Sequence, residues 1–133
     1  MVRARSLAIA LLPLMERIKK RCFSQFDYEA FWLLLGEHEN ASDAYKIGIG
    51  LPSLLGDVHL LPQDLALEVQ KLWHMVQAHD SLIDSIKRAG RNRSDDLDEL
   101  QTTLNTTEPM LAKQADLTLQ TLRTYLDREL DSK

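Results

Sequence analysis

His79 and Asp80 are the residues of this sequence whose types and spacing could do chemistry. They stand side by side in the stretch LWHMVQAHDSLIDSIKRAG, residues 72–90, which has a helical pattern. Imidazole changes charge near neutral pH, and the hydrogen bond made by one ring nitrogen orients the other. The pair could therefore take part in a reaction, or the histidine could be one position of a packed helix face.

The packed alternative follows from a regular apolar stripe that includes His79. Its steps alternate between four and three residues over three repeats, which is the heptad pattern of a helix that packs along a seam. We therefore expect a buried histidine with a hydrogen-bond partner and no catalytic role. The predicted core and dimer seam consists of Leu65, Val69, Leu72, Val76, Ile83 and Ile86, with His79 between the fourth and fifth.

The four residues HDSL, His79 to Leu82, support a different interpretation. They resemble the His-Asp element in the dimerisation helices of one class of sensor histidine kinases. The resemblance implies that His79 accepts a phosphoryl group, that Asp80 orients it, and that two helical hairpins form a dimer. Gln77-Ala78 and Ile83-Asp84 depart from the Glu-Leu and Gly-Gln that commonly flank the element in that family.

No metal or cofactor is expected. A di-iron helical bundle uses repeated Glu-x-x-His pairs, and no histidine here has a glutamate three positions before it. Cys22 follows three basic residues, which lower the pKa of a thiol, but it falls on the apolar stripe of the first helix. We expect a buried structural cysteine, and the sequence as a whole predicts a protein that is not an enzyme.

Neither nucleic acid nor a membrane is an expected partner. Residues 1–22 carry six basic residues against one acidic, whereas the whole chain has a net charge of −4, so the rest of the chain is strongly acidic. A helix-turn-helix is the one DNA-binding alternative, over residues 42–55, but its candidate recognition helix, 51–61, lacks the Arg, Lys, Asn and Gln that read bases. The apolar run 6–15 is too short to span a bilayer.

The single cysteine favours a reducing compartment, and we expect a cytoplasmic protein. Three acceptor sequons, at Asn40, Asn92 and Asn105, point the other way. Their hydroxyl residues also suit helix caps, as do asparagines near turns. Whether the sequons are used is left open.

The elements that position these residues are all helical, in one domain over residues 1–133. N-terminal helices are predicted in 1–39, with one over about 5–22 and a second opened by a capping box from Ser24 to Asp27. The second is apolar nearly all round and is predicted to form the centre of the core. Its anchors are Phe26, Phe31, Trp32, Leu34 and Leu35.

An apolar irregular linker, 40–61, must pack down onto the helices, and residues 62–131 follow as a long antiparallel helical hairpin. Pro109 either kinks the second hairpin helix or divides it, in the latter case with Thr107 as a cap. The hairpin is longer than the N-terminal half can cover, so we expect a coiled-coil-like homodimer. The predicted function is a small regulatory protein that binds a partner protein, with the phosphotransfer and DNA-binding alternatives open.

Overall fold

The fold is all-α, as the sequence predicts. A computed structural model of the chain describes residues 2–23, 26–37, 43–48 and 52–131, and no strand occurs among them. Short 3₁₀ turns lie at 43–45 and Val58–Leu60. The helices, in chain order, are α1 (Val2–Phe23), α2 (Tyr28–Glu37), α3 (Pro52–Leu55), α4 (Gln63–Arg91) and α5 (Leu97–Asp131).

Helices α4 and α5 form the predicted antiparallel hairpin. The amide of Ser94 donates to the carbonyl of Ala89 at 2.8 Å, and the amide of Arg93 donates to that of Gly90 at 3.4 Å. This is the bond pattern of a Schellman motif, in which the residue after the C-cap takes a left-handed conformation; the C-cap of α4 is Asn92. Arg93 occupies that position with φ 51°, and α4 ends at Arg91.

Helix α1 runs antiparallel to α5 and completes a three-helix bundle. Glu16 contacts Arg123 at 2.9 Å, and Lys19 contacts Asp116 at 2.6 Å. The residue numbers of the partners on α5 therefore decrease as those on α1 increase. The buried stripe of α1 follows the spacing of a helix face. It consists of Ala4, Leu7, Ala8, Leu11, Met15, Ile18 and Cys22.

The apolar stripe of α4 lies inside a single chain. Each of its seven side chains, from Leu65 to Ile86 and including His79, is at most 1% exposed. The burial of this seam is therefore as predicted, and it is achieved by packing against other helices of the same chain. A second copy is not needed to cover it.

The core has two parts that meet near His79. The larger cluster joins the stripe of α1, the N-terminal part of α4 through Val76, and α5 from Leu111 onward. The smaller cluster contains Phe26, Phe31, Ile83, Ile86 and Leu104. On α4, His79 is the seam residue between Val76 of the first cluster and Ile83 of the second.

Both helix-internal prolines lie in continuous helices. Pro109 is inside α5 and Pro13 inside α1, and both side chains are exposed. A proline removes one backbone hydrogen bond, and on a solvent face water can satisfy the carbonyl four residues earlier. Pro109 therefore does not divide α5, and Thr107 is not a cap: its hydroxyl donates to the Thr103 carbonyl at 2.8 Å.

Helix α2 differs from its prediction in two respects. It begins at Tyr28 with Asp27 as its cap, since the Asp27 carboxylate accepts from the Ala30 amide at 3.0 Å; the predicted cap, Ser24, lies outside the described residues. It is also not the centre of the core. Phe31 is buried, but Leu33 is 68% exposed, because α2 packs over one end of the bundle and leaves its outer side in solvent.

The linker packs down as predicted, with Ile47, Val58 and Leu61 buried. Residues 40–42 and 49–51 of the linker lie outside the described part of the chain. In place of a recognition helix, the described remainder forms the four-residue α3 and a 3₁₀ turn. Among the described helices, none is both long and apolar enough to cross a membrane.

Candidate functional site

His79 stands at the centre of a buried group of charged side chains. Its ring is 0% exposed, and both ring nitrogens have partners. Nδ1 lies 3.0 Å from Oδ1 of Asp80, and Nε2 lies 2.9 Å from Oε2 of Glu108. The histidine therefore joins α4 to α5 through a hydrogen bond inside the core.

Arg21 completes what we call the buried charge cluster, which consists of Arg21, His79, Asp80 and Glu108. Its guanidinium lies 3.6 Å from Oε2 of Glu108 and stacks over the ring of Phe26, 5.2 Å from the centroid. The planar, weakly hydrated guanidinium suits such a half-buried place between a carboxylate and an aromatic ring. Through it α1 is tied to the same carboxylate that holds His79.

Asp80 connects the cluster to the linker. Its Oδ1 accepts from the amide of Ile47 at 3.0 Å, and its Oδ2 accepts from the amide of Gly48 at 2.9 Å. A β-carbon at position 48 would lie 2.8 Å from Oδ2 of Asp80, so any other residue here would force this carboxylate or the backbone to move. One carboxylate thus holds the backbone of residues 47 and 48 against α4.

The geometry shows how many protons the cluster needs for both ring nitrogens to be hydrogen-bonded. An ionised carboxylate accepts hydrogen bonds and cannot donate, and a neutral imidazole has only one N–H. Because both ring nitrogens face carboxylate oxygens, His79 either carries two protons or shares the second with Glu108. In both cases the four groups together are neutral, which is the condition under which buried charges are tolerated.

The pKa of His79 reflects this balance. Burial lowers it, since it disfavours the charged ring, but the hydrogen bonds to Asp80 and Glu108 and their negative charges outweigh burial. The net result is a pKa raised above the ordinary value of 6.5. The ring therefore stays protonated at a higher pH than a histidine in water.

The same environment keeps two neighbouring groups neutral. Burial, and then the charge of Glu108, raise the pKa of the Cys22 thiol to about 12, although Arg21 opposes this. Burial and Glu108 also raise the pKa of Tyr28 to about 12. The Tyr28 hydroxyl lies 2.9 Å from two oxygens on α5, the carbonyl of Gln101 and Oδ1 of Asn105, and its one proton can be donated to either. A buried thiol with such a pKa is a poor nucleophile, as its position on the apolar stripe predicts.

The arrangement is suited to structure more than to reaction. A phosphoacceptor needs a ring nitrogen that a donor can reach, whereas in His79 both nitrogens are used and no atom is exposed. Among the described residues no group of three or more His, Cys, Asp or Glu could hold a metal ion. No buried side-chain nitrogen or oxygen in this part of the chain lacks a partner.

Sequence reasoning found His79 and Asp80 but missed Glu108 and Arg21. A signal for Glu108 was present, since Leu104, Glu108 and Leu111 follow the four-then-three spacing of the buried face of α5. The prediction that Pro109 could divide the helix obscured the fact that one buried face runs through positions 104 to 111. Nothing in the sequence pairs Arg21 with residue 108, because that contact depends on how α1 packs on α5.

An apolar groove lies at the end of the bundle where α2 meets the α4–α5 turn, with a volume of about 330 Å³. Trp32 closes onto Gly90, where a β-carbon would lie 2.7 Å from Cζ3 of the indole. We call this the Trp32 groove. Its lining residues are Trp32, Leu35, Gly36, Gly90, Arg91 and Leu97.

Comparison with known proteins identifies no relative of this chain. No protein family, curated protein or solved structure matches the chain at a significant level. The functional proposals below therefore depend only on the residues and their geometry.

Proposed function

We propose that this chain is a small non-enzymatic helical protein that binds a partner protein, and that the Trp32 groove is the binding surface. We further propose that it acts in the cytoplasm and as a homodimer. The observation that carries the proposal is the groove itself. Half-buried Trp32, Leu35 and Leu97 form a concave apolar surface of the kind that accepts a partner's side chain. Aromatic anchors of this type dominate the binding energy of protein interfaces.

The burial of His79 supports a non-enzymatic role. It is the histidine for which the sequence supports phosphotransfer, and both nitrogens of its ring are used in hydrogen bonds, one to Asp80 and one to Glu108. Phosphotransfer through His79 would require the cluster to open first. An interaction protein needs no such opening.

A homodimer would have to use a surface other than the α4 seam, which is filled within the chain. Large apolar side chains on the outer faces of the hairpin are available for this. They are Leu67, Met110 and Leu117, which are 57%, 59% and 46% exposed. Light scattering at micromolar concentration tests the point: a dimer mass is expected, and a clean monomer would refute the dimer.

Gly36 allows a sharp test of the groove. A β-carbon there meets nothing within 4 Å, so Gly36→Gln places a polar side chain in the groove without disturbing the fold. Gly56→Gln is the matched control, since Gly56 also has open space but is not among the residues that line the groove. A protein recovered with the wild type should be lost with Gly36→Gln and retained with Gly56→Gln.

The alternatives give different results in simple measurements. A phosphotransfer module takes label from a small phosphodonor and loses it in His79→Gln, whereas we expect no label on the wild type. A DNA-binding regulator shows retention that weakens steeply with salt, and we expect none. Recovery of no partner under mild conditions, or equal recovery with both glycine variants, would contradict the proposed role of the groove.

A further inference from the structure

The buried charge cluster joins four separate parts of the chain. Three are helices, and the fourth is a short segment of the linker that is not α-helical. Arg21 comes from α1, His79 and Asp80 from α4, and Glu108 from α5. Residues 43–48, which we call the clamped segment, are held through the amides of Ile47 and Gly48. We propose that the cluster is a proton-controlled latch: the clamped segment stays on α4 while His79 holds its second proton, and loss of that proton releases the segment.

When the second proton leaves, His79 can keep only one of its two hydrogen bonds to carboxylates. A neutral ring has one N–H and can satisfy only one carboxylate. The Glu108 side chain is 4% exposed and the Asp80 side chain is 19% exposed. Because the unpaired charge costs more where water is further away, the remaining proton stays on Nε2 and points at Glu108.

Loss of the proton therefore acts on Asp80. The lone pair of Nδ1 then faces Oδ1 of Asp80 at a distance of 3.0 Å, which replaces attraction by repulsion. Oδ1 is the atom that also accepts from Ile47, and Oδ2 accepts from Gly48. When this carboxylate turns toward the solvent, both amides lose their acceptor together.

Other charged contacts of the clamped segment do not respond in the same pH range. Lys46 bonds to Asp84 at 3.0 Å and to Asp43 at 3.1 Å. The hydrogen bond to Asp84 is the largest cause of a raised pKa for Lys46, so this ammonium stays charged. It acts as a tether that keeps the released segment near α4.

The charge state of the other groups around His79 does not change near neutral pH. Arg21 on α1 remains a cation and stays beside Glu108. Cys22 on the same helix and Tyr28 on α2 have pKa values raised to about 12 and remain neutral. Within the cluster, His79 is thus the group whose proton changes between mildly acidic and mildly basic solution.

Amide hydrogen exchange measured by NMR on the full chain tests the latch directly. The exchange of Ile47 and Gly48 is followed from about pH 5.5 to about pH 9, corrected for the pH dependence of chemical exchange, while the His79 ring is titrated in the same samples. Both amides should exchange about tenfold faster for each pH unit by which the contact with Asp80 raises the pKa of His79. The change should follow the ring titration. The amides of Val76 and Ile83 should exchange far more slowly than these two at every pH, because they exchange through unfolding of the core.

Matched variants separate the latch from a general effect of pH. His74→Gln changes an exposed histidine on the same helix and should leave the step in exchange unchanged. Glu108→Gln should move the step toward the ordinary pKa of histidine, since a glutamine can pair with a neutral ring. Amides of Ile47 and Gly48 that exchange at a constant rate while the wild-type ring titrates would overturn the proposal, without any need for a variant to fold. So would exchange of Ile47 and Gly48 at the same opening free energy as Val76 and Ile83, which would show unfolding of the whole chain in place of local release.

Discussion

The amide of Gly48 donates to Oδ2 of Asp80 at 2.9 Å, and a β-carbon at position 48 would lie only 2.8 Å from the same oxygen. This contact is where the linker meets the buried charge cluster. It depends on the lack of a β-carbon at Gly48 as much as on the carboxylate of Asp80. Of the described glycines, Gly48 and Gly90 are the two at which an added β-carbon meets other atoms.

Gly48→Ala should therefore destabilise the fold. The new methyl would lie 2.8 Å from Oδ2 of Asp80 and 3.2 Å from Cγ1 of Val76, so one of them must move. Overpacking of this kind costs about 1–3 kcal/mol in the free energy of unfolding, which urea denaturation measures. Gly56→Ala is the control, because its methyl meets nothing within 4 Å; a loss of the same size in both variants would contradict the role of the contact.

Protein stability should fall as pH rises through the folded-state pKa of His79. This pKa is raised above 6.5 in the folded chain, so the folded state binds its proton more tightly than the unfolded state does. The contribution is fully present below pH 6.5 and is lost as pH rises through the folded pKa. Its size is about 1.4 kcal/mol for each pH unit between the two pKa values.

Urea denaturation at a series of pH values measures this dependence. Glu108→Gln should flatten the profile on the alkaline side, because one of the two carboxylates that hold the proton is removed. His59→Gln, which alters an exposed histidine, should leave the profile unchanged. A wild-type stability that rises between pH 6.5 and the alkaline end would have the wrong sign for a raised histidine pKa.

The sequence predicts the framework of this site better than the site itself. The four-then-three spacing places His79 on the buried face of α4, since periodicity depends only on the geometry of one helix. It cannot show that Glu108 and Arg21 lie beside it, because those contacts depend on the register of α5 and α1 against α4. The clamp on Gly48 depends on a path through an irregular segment, for which no periodic signal exists.

The errors in the predicted fold have a similar origin. Pro109 is a helix breaker in isolation, but packing of the buried face of α5 on both sides of it keeps the helix continuous. The apolar run of α2 predicts burial on all sides, yet Leu33 is 68% exposed. Hydrophobicity alone does not say how many neighbours the rest of the chain can supply.

Gly90→Ala should open the Trp32 groove. Its methyl would lie 2.7 Å from Cζ3 of Trp32, so the indole must swing away from α4. In a Trp73→Phe background, which leaves Trp32 as the one tryptophan of the chain, fluorescence emission should shift to longer wavelength as the ring meets water. Gly36→Ala, in the same groove but with open space around its methyl, should leave the emission unchanged; an equal shift there would contradict the close packing at Gly90.

Arg93→Gly should stabilise the chain. Arg93 has φ 51° in the Schellman motif that ends α4, and a residue with a β-carbon is strained in this region. Glycine relieves the strain but increases the entropy of the unfolded chain, for an expected net gain of about 0.5–1 kcal/mol. Arg88→Gly, in the last turn of the same helix, should instead lose about 1 kcal/mol. Thermal denaturation distinguishes the two, and destabilisation by both would contradict the motif.

Cys22 should resist thiol reagents in the folded protein. Its side chain is buried, and burial, followed by the charge of Glu108, raises the pKa of the thiol to about 12. The thiolate that attacks a reagent is therefore scarce at neutral pH, and what forms is shielded by α4 and α5. Labelling by an aromatic disulfide should proceed only as fast as the chain opens, and it should become rapid in denaturing urea. Glu108→Gln removes a nearby negative charge, so the folded-state rate should rise only if the thiol is reachable without unfolding. Fast labelling of the folded wild type would show that the α1 face carrying Cys22 is accessible to solvent and is not part of the core.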